Sequence, residues 1–436
     1  MQCLTRTITR GRHLVPHQVL PRVSYSTTKT PPGALEGVRI LDLTRVLAGP
    51  FCTQLLADYG ATVIKVEHPQ GGDETRLWKE AGEHSLWKPG TENTSLYFNA
   101  INRNKRSVSV NLKHASGRKL ILDLIRHSDV VVDNFIPGKL ESLGLGYEVF
   151  RKTNPSIIHA SISGYGADGP YATRAGYDVI AAAEAGLLHV TGEADGPPTK
   201  LGVGIMDMAT GLYLHGSIAA ALLYRVKTGK GQKIDASLFE TTISILNNVG
   251  MSWLNLRKEG KRWGTGHPTI VPYEAFKTGD SLLVLGAVNS RQFRVLCKRL
   301  GREELADDER FADNDSRVKN RRELKGILDE LFATRTTEQW LEVFEGSGLP
   351  HGPVNTIEAA FDHPQVAARH MVQTIDHSAA ASGKINVLGN AVKFSETPAT
   401  TRSEPPGLGE HTDEVLKEIV GYSEEEISQL RKEGAV

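Results

Sequence analysis

Asp207 is the acidic residue of the apolar, glycine-rich stretch GVGIMDMATG, which runs from Gly202 to Gly211. No other residue from 201 to 224 is charged. An aspartate just before an apolar helix is most often an N-cap, which is the first interpretation. A carboxylate can also attack an acyl carbon and hold it covalently, which is the second. Three nearby glycines support the second, since glycine lets a backbone or a ligand approach closely.

Other patterns of acids, bases and nucleophiles in the sequence are weak. Asp178 begins a predicted helix in GYDVIAAA and allows the same two interpretations. No serine stands in a G-x-S-x-G turn after a strand, because Ser217 falls inside a predicted helix. The three cysteines are far apart and no H-x-x-x-H pair occurs. We therefore expect neither a metal site nor a disulfide framework.

Two features suit an anionic ligand. The loop TRVLAGPF after the first predicted strand points at a helix N-terminus, which favours a phosphate group. It lacks the G-x-G-x-x-G fingerprint, which argues against a nicotinamide dinucleotide. The cluster NRNKRS places Arg103, Lys105 and Arg106 before a strand, where a solvated loop is the usual outcome and phosphate binding the alternative.

Strands and helices alternate through the first half of the chain. VRILDL, the helix FCTQLLADY and TVIKVE form a βαβ unit of about 30 residues, which requires a parallel sheet. Further strands are predicted at 107–112, 129–133 and 156–163, with helices at 116–126 and 147–153. We therefore predict an α/β protein with a doubly wound, Rossmann-like large domain.

The second half is predicted to be richer in helix. Helices are expected at Asp178–Leu188, at Met208–Arg225 and, as one apolar element, near Phe239–Leu256. RWGTGHPTIVPYEAF is predicted to be a loop and SLLVLGAV a strand. A charged helical region from Arg291 to about Phe344 and a final helix at SEEEISQLRKEG complete the pattern.

The composition is that of an ordinary globular protein, with 39% hydrophobic and 23% charged residues. Basic and acidic residues both number 51, so no net field favours nucleic acid or a membrane as a partner. Residues 1–34 contain five basic residues, many Ser and Thr, and no acid. This pattern predicts a mitochondrial transit peptide and a location in the matrix, with a disordered basic tail as the alternative.

Several stretches, taken together and in order, resemble the class III CoA-transferases, the group of the formyl-CoA and carnitine CoA-transferases. The resemblance covers the chain from Leu35 to its C-terminus. The matching stretches are LEGVRILDLTRVLAGPFCTQLLADYGATVIKVEHPQGGDETR, NKRSVSVNLK, DVVVDNFIPG, GYGADGPYATRAGYD, GVGIMDMATG, RVKTGKGQKIDASLFE, GLPHGPVNT and GEHTDEVLKE.

The resemblance implies an overall architecture. A Rossmann-like large domain would combine with a smaller α+β domain in an interlocked homodimer. We assign residues 35–226 to the first part of the large domain, 227–375 to the small domain, and 376–436 to a segment that returns to the large domain. A separate monomer would leave much apolar surface exposed.

The resemblance also implies roles for individual residues. Asp207 matches the nucleophile, and Asp178 matches a second acidic residue of the site. No cofactor would be bound permanently, because the coenzyme A thioester is a substrate. The residues that match its binding positions are Arg45, Val46, Leu47, Ala48, Val110, Asn111, Leu112, Lys113, Asn134 and Phe135. A glycine loop that covers the site is matched by Gly264, Thr265 and Gly266.

The chain departs from the family pattern at three positions. Leu47 stands where formyl-CoA transferases have glutamine, which argues against formate and oxalate as substrates. His68 and Ser142 stand where the family has CoA-binding arginines. Lys139 or Arg76 is expected to substitute for them.

The activity implied is transfer of CoA from an acyl-CoA, with succinyl-CoA favoured, to a short dicarboxylic acid such as glutarate or hydroxymethylglutarate. Asp207 would attack the thioester, form a mixed anhydride and then become an aspartyl-CoA thioester. The distal carboxylate of the acid needs a positive group, for which Arg174, Arg76 and His267 are candidates.

Two alternatives stay open. A 2-methylacyl-CoA racemase of the same superfamily would use a histidine directly before the acid that matches Asp178. This chain has Tyr177 there, and tyrosine is a poor base at neutral pH. A non-catalytic acyl-CoA-binding protein would tolerate replacement of Asp207.

Overall fold

The computed structural model describes residues 32–91 and 93–436. In them a six-stranded parallel sheet is flanked by helices, and a smaller region is built on a three-stranded antiparallel sheet. This confirms the predicted α/β class with a Rossmann-like large sheet. Most of the predicted transit peptide, residues 1–31, lies outside the described residues.

The large sheet has the strand order 3-2-1-4-5-6, which is that of dinucleotide-binding folds. Leu41 in its centre lies opposite Ile64 on one side and Val131 on the other. Its strands are β1 (Arg39–Asp42), β2 (Thr62–Glu67), β3 (Lys105–Ser109), β4 (Val130–Asp133), β5 (Ile158–Ser163) and β6 (Lys233–Ser237).

Eighteen α-helices lie in the described residues. In chain order they are α1 (Ala48–Asp58), α2 (Leu96–Ala100), α3 (Ala115–Arg126), α4 (Lys139–Ser142), α5 (Tyr147–Thr153), α6 (Asp178–Glu184), α7 (Leu187–Val190), α8 (Ile205–Thr228), α9 (Leu238–Ile245), α10 (Asn247–Leu256), α11 (Ser290–Leu300), α12 (Asn314–Lys319), α13 (Arg321–Phe332), α14 (Thr337–Phe344), α15 (Ile357–Phe361), α16 (Pro364–Ala368), α17 (Thr412–Val415) and α18 (Glu424–Lys432).

Both faces of the large sheet are covered by helices. Neighbouring residues of a strand point to opposite faces, so Ile40 and Leu41 enter different cores. Ile40 packs with residues of α1 and α8, and Leu41 packs with α3, α5 and the chain from Val415 to Ala435. All of these side chains are nearly inaccessible to solvent, so burial of apolar surface on both faces stabilises the doubly wound arrangement.

The smaller region has a core of its own. Its antiparallel sheet consists of β7 (Tyr273–Lys277), β8 (Leu282–Gly286) and β9 (His351–Pro353). Phe276 of β7 stacks on Phe332 of α13 with ring centroids 4.6 Å apart. A hairpin of β10 (Val372–Asp376) and β11 (Lys384–Leu388) follows, and His377 at its turn is 2.9 Å from Asn99 of α2.

Three elements differ from those predicted. β7 lies inside the segment predicted to be a loop, where its flanking Gly and Pro residues hid a short strand. The apolar helix predicted near Phe239–Leu256 is two helices, because Asn247, the first residue of the second helix, has a left-handed φ of 40°. β6 lies in the large sheet, although the predicted small domain begins at residue 227.

Candidate active site

A cleft of about 420 Å³ lies at the carboxyl ends of β1, β4 and β5. The strand order of the large sheet reverses between β1 and β4, and open parallel sheets bind ligands at such a switch point. The loop Arg45–Ala48 follows β1, and the loop Asn134–Pro137 follows β4. Asp207 lines this cleft as well. The fold therefore brings the predicted nucleophile to two of the predicted CoA-binding segments.

Asp207 is the third residue of α8 and does not cap it. The N-cap position is Gly204, which offers no side chain. Asp178, at the start of α6, provides the cap from outside the helix. Its Oδ2 accepts hydrogen bonds from the backbone N–H of Met206 at 2.7 Å and of Asp207 at 3.2 Å. The capping interpretation of Asp207 is thus wrong, because another carboxylate already occupies the helix N-terminus.

The carboxylate of Asp207 is left without a hydrogen-bond partner among the described residues. Its side chain is partly buried, and its nearest acidic neighbour is Asp178. Burial, and second the negative charge of Asp178, raise the pKa of Asp207 to about 7. Asp207 is therefore close to half ionised at neutral pH, and its oxygens are open to a ligand in the cleft.

Two glycines of the Asp207 segment allow close packing. A Cβ on Gly204 would lie 2.9 Å from the side chain of Leu47, and one on Gly211 would lie 2.7 Å from the carbonyl oxygen of Ala48. Both contacts are with the β1–α1 loop region. The glycines therefore let α8 bring Asp207 against the loop predicted to bind CoA.

The β1–α1 loop is held by side chains from two other segments. Asn134 accepts from the N–H of Arg45 at 3.0 Å and donates to its carbonyl oxygen at 2.7 Å. Asp73 accepts from the N–H of Val46 at 3.2 Å. Val46 itself has a φ of 69°, in the left-handed region that β-branched residues avoid.

The cleft contains some of the predicted CoA-binding residues and not others. Its lining includes all of Arg45–Ala48 together with Asn134 and Phe135. Val110–Lys113 lie at the end of β3 and do not line it. There, Asn111 donates from its backbone to the carbonyl oxygen of Ala435 and from its side chain to that of Gly434. The role of Val110–Lys113 stays a prediction.

The predicted glycine loop lies outside the cleft in the single chain. Gly264 donates its N–H to the carbonyl oxygen of Gly192, and the Thr265 hydroxyl accepts from the N–H of Ala275 at 2.9 Å. Gly266 continues this turn by bonding back to Trp263. Coverage of the active site by Gly264–Gly266 stays a prediction.

The basic cluster at the start of β3 is engaged in ion pairs. Arg103 is buried and lies 2.6 Å from Asp58, and Lys105 is buried 3.0 Å from Asp42. Arg106 pairs with Glu414 and Glu418 near the surface. These cations balance internal carboxylates, so neither the phosphate-site nor the solvated-loop interpretation of the cluster is correct.

Only two of the four candidate basic residues for binding CoA or a substrate carboxylate line the cleft. Arg76 is completely buried, 2.6 Å from Glu67 and over the ring of Phe98, so it is not available for CoA or for a substrate carboxylate. His267 stacks on Tyr273 in the smaller region and does not line the cleft. Lys139 and Arg174 do line it.

Arg174 is the better placed of the two for the substrate. It is half exposed, pairs with Glu184 at 2.7 Å, and lies over the rings of Tyr165 and Tyr171. Aromatic faces and one carboxylate hold the guanidinium without using all its donors. A substrate carboxylate could therefore bind to its remaining N–H groups.

Sequence reasoning missed several residues around the cleft. Tyr97 of α2 lies near the two acidic residues. Its pKa is raised by burial and, second, by the negative charges of Asp207 and Asp178. Its ring packs edge-on against Trp78 at 5.4 Å. Asp73 and Lys65, which support the β1–α1 loop, were also missed. No motif marked them, because their relation to Asp207 exists only in the fold.

The described residues hold no group of His, Cys, Asp and Glu side chains that could bind a metal ion. None of the described helices is both long and apolar enough to cross a membrane.

Residues 35–412 match the model of CoA-transferase family III. The chain belongs to this family.

Individual relatives agree with the assignment to CoA-transferase family III. A Fusarium pseudograminearum protein described as an acyl-CoA transferase is 56% identical over 404 residues, which are 93% of this chain and 88% of the relative. A Mus musculus protein named succinyl-CoA:glutarate CoA-transferase is 48% identical over 402 residues, which are 92% and 90% of the two chains. A CAIB/BAIF family protein of Brucella suis, known from its crystal structure, is 39% identical with a TM-score of 0.78, and the match covers 89% of this chain and 100% of that one.

Membership of CoA-transferase family III confirms the predicted activity class. The protein is a CoA-transferase, and an acyl-CoA thioester is its substrate. The alternative of a non-catalytic acyl-CoA-binding protein is therefore not supported.

Proposed function

We propose that the protein moves CoA from succinyl-CoA to glutarate or a similar short dicarboxylic acid, with Asp207 as the nucleophile. The observation that carries the proposal is a partly buried carboxylate without a hydrogen-bond partner, facing a cleft at the switch point of the sheet. The relative at 48% identity, named for succinyl-CoA and glutarate, supports the choice of substrates.

The proposed reaction begins with attack of the Asp207 carboxylate on the thioester carbonyl carbon. The C–S bond breaks, CoA leaves as the thiolate, and Asp207 and the succinyl group form a mixed anhydride. The thiolate then attacks the Asp207 carbonyl, which releases succinate and leaves an aspartyl-CoA thioester. The acceptor carboxylate attacks the carbonyl carbon of this thioester, the C–S bond breaks, and a second mixed anhydride joins Asp207 to the acceptor while CoA leaves as the thiolate. The thiolate then attacks the acceptor carbonyl of this anhydride, which forms the product acyl-CoA thioester. Asp207 is regenerated as a carboxylate.

Trapping with hydroxylamine tests the nucleophile directly. With succinyl-CoA present, hydroxylamine should convert Asp207 to its hydroxamate, detected by mass spectrometry of the peptide. Asp207→Asn should lower kcat by about 10³-fold or more. Asp235→Asn is the control, since the pKa of Asp235 is also raised but this residue does not line the cleft. A labelled residue other than Asp207 would contradict the mechanism.

We assign recognition of the distal carboxylate to Arg174. Its position on the cleft and its anchoring by Tyr165, Tyr171 and Glu184 support this role. A panel of acids of different length should show a preference for dicarboxylates, and Arg174→Met should raise KM for glutarate more than KM for succinyl-CoA. Equal turnover of monocarboxylates of the same length would contradict the assignment.

The racemase alternative needs a separate measurement. Incubation with a chiral 2-methylacyl-CoA in deuterated water should give no exchange of the α-proton. Tyr177, where a racemase of this superfamily has its histidine, is largely exposed. Exchange at a rate comparable to CoA transfer would favour the racemase.

We further propose that the protein acts as an interlocked homodimer. Large apolar side chains are exposed along two helices, which supports association with a second copy. They are Leu212, Tyr213, Leu223, Tyr224 and Val226 on α8, and Met251, Trp253, Leu254 and Leu256 on α10.

Location in the mitochondrial matrix is also proposed, from the basic, acid-free composition of residues 1–34. Import into isolated mitochondria with removal of this segment tests it.

A further inference from the structure

Three consecutive residues after β1 have their backbones held by side chains. Lys65 donates from Nζ to the carbonyl oxygen of Thr44 at 3.0 Å. Asn134 pairs with both backbone groups of Arg45. Asp73 accepts from the N–H of Val46 at 3.2 Å. This path of the chain is therefore determined from outside the loop.

Val46 needs such support. Its φ of 69° places it in the left-handed region, where a β-branched side chain is strained. Residues in such conformations persist only where the surrounding structure holds them, and they are frequent at functional sites. Glycine would adopt the same conformation without strain.

Lys65 and Asp73 form the buried part of this support. Their side chains are 3.0 Å apart and both are fully buried. Burial opposes the charge on Asp73, but Lys65 keeps its pKa below the usual range, so the acceptor is a carboxylate. Thr75 fixes the orientation of Asp73 by donating to Oδ1 from its N–H at 3.0 Å and from its hydroxyl at 2.8 Å. Neither Lys65 nor Asp73 lines the cleft.

We infer that the buried Lys65–Asp73 pair positions the CoA-binding loop by holding Val46 in its left-handed conformation. The inference rests on the proposed function, which places CoA along Arg45–Ala48. Lys65 and Asp73 are positioning residues, because they act through the backbone of Thr44 and Val46. They set the affinity for acyl-CoA, while the chemistry occurs at Asp207.

The first test is Asp73→Asn, which keeps the shape of the side chain and removes its charge. KM for succinyl-CoA and Kd for free CoA, measured by calorimetry, should both rise by about tenfold or more, because the loop is no longer preorganised. kcat should change much less than KM. Asp58→Asn is the matched control: it breaks the buried Asp58–Arg103 pair of 2.6 Å, which does not contact the loop, and should leave Kd for CoA unchanged.

A rescue experiment separates positioning from a general loss of structure. Since glycine adopts positive φ freely, adding Val46→Gly to Asp73→Asn should bring Kd for CoA part of the way back to the wild-type value. Val46→Gly alone should weaken CoA binding slightly, because the loop gains freedom. The two substitutions should therefore be strongly non-additive. Additive effects, or an unchanged Kd in Asp73→Asn, would overturn the inference.

Two further variants keep the outcome interpretable. If Asp73→Asn does not fold, Thr75→Val replaces it in the same cycle, since it only removes the hydroxyl that orients Asp73. Arg45→Ala separates the inference from the proposed function. Unchanged CoA affinity in Arg45→Ala would reject the placement of CoA on this loop. Weaker binding in Arg45→Ala but not in the Asp73 and Thr75 variants would reject the positioning pair alone.

Discussion

Asp207 differs from Asp178 in what surrounds its oxygens. Asp178 accepts two backbone hydrogen bonds at the N-terminus of α8, whereas Asp207 accepts none and keeps a pKa of about 7. Two carboxylates with different environments can take different roles, one structural and one chemical. Asp178 satisfies the helix end, and its charge makes the neighbouring carboxylate more basic.

A pH profile should report the ionisation of Asp207. Since only the carboxylate is nucleophilic and its pKa is about 7, kcat/KM for succinyl-CoA should rise about tenfold between pH 6 and pH 8. Asp178→Asn keeps an acceptor for the helix N–H groups but removes the negative charge. It should move the midpoint of the profile to lower pH. A flat wild-type profile from pH 6 to 8 would contradict a pKa of about 7 for Asp207.

Asp207→Asn should make the fold more stable at alkaline pH. The pKa of Asp207 is raised in the folded state, so its ionisation costs stability above pH 7 and costs none below the ordinary value of 3.8. The gain at pH 8 should be about 1 to 3 kcal/mol, measured by urea unfolding, and should shrink as the pH falls. Asp280→Asn should have the opposite sign, because hydrogen bonds from Thr337 lower the pKa of Asp280.

The position of Asp207 could be predicted from sequence, but its surroundings could not. One carboxylate in an apolar, glycine-rich stretch is visible in the chain. Capping by Asp178 is not, because the two residues are 29 positions apart and meet only in the fold. The basic cluster Arg103–Arg106 was predicted to be a solvated loop or a phosphate site for the same reason. Its partners Asp42 and Asp58, which neutralise Lys105 and Arg103, are also distant in sequence.

At the scale of elements, the contact between α1 and α8 places the nucleophile. Gly211 is buried where α8 crosses α1, and a Cβ there would lie 2.7 Å from the carbonyl oxygen of Ala48. Backbone atoms cannot move aside as a flexible side chain would. The two helices therefore need a residue without a side chain at this crossing.

Gly211→Ala should destabilise the protein although alanine favours helix. The clash should cost about 1 to 3 kcal/mol, as overpacking commonly does, and should lower kcat because Asp207 moves relative to the β1–α1 loop. Gly326→Ala in α13 is the control, since nothing lies within 4 Å of its added Cβ. It should gain about 0.5 to 1 kcal/mol. Similar melting temperatures for the two variants would contradict the packing argument.

Strands of the large sheet were predictable because they are short runs of four to six residues, several of them rich in Val, Ile and Leu, with helices between them. The strands of the smaller sheets were harder to predict from the sequence. β7 alternates buried and exposed residues over five positions within a Gly- and Pro-rich segment, and β9 has only three residues. Their pairing is set by tertiary contacts, such as the packing of Phe276 on Phe332.

At the scale of the whole molecule, the exposed apolar faces of α8 and α10 should be covered by a second subunit. Sedimentation at micromolar concentration should give a dimer of 47.6 kDa chains. Leu254→Asp, on the exposed face of α10, should weaken the dimer and lower solubility, whereas Leu388→Asp on β11, of similar exposure, should not. A stable, soluble wild-type monomer would contradict the interlocked arrangement.

The covering of the Leu41 face of the large sheet has a consequence for synthesis on the ribosome. All six strands have been synthesised once Ser237 is added, yet this face is completed only by Val415 and the residues after it. At about 5 to 20 residues per second, roughly 10 to 40 s pass between these events. During that interval the part of this face that the chain from Val415 to Ala435 later covers is an exposed apolar surface, which chaperones that bind such surfaces would have to shield.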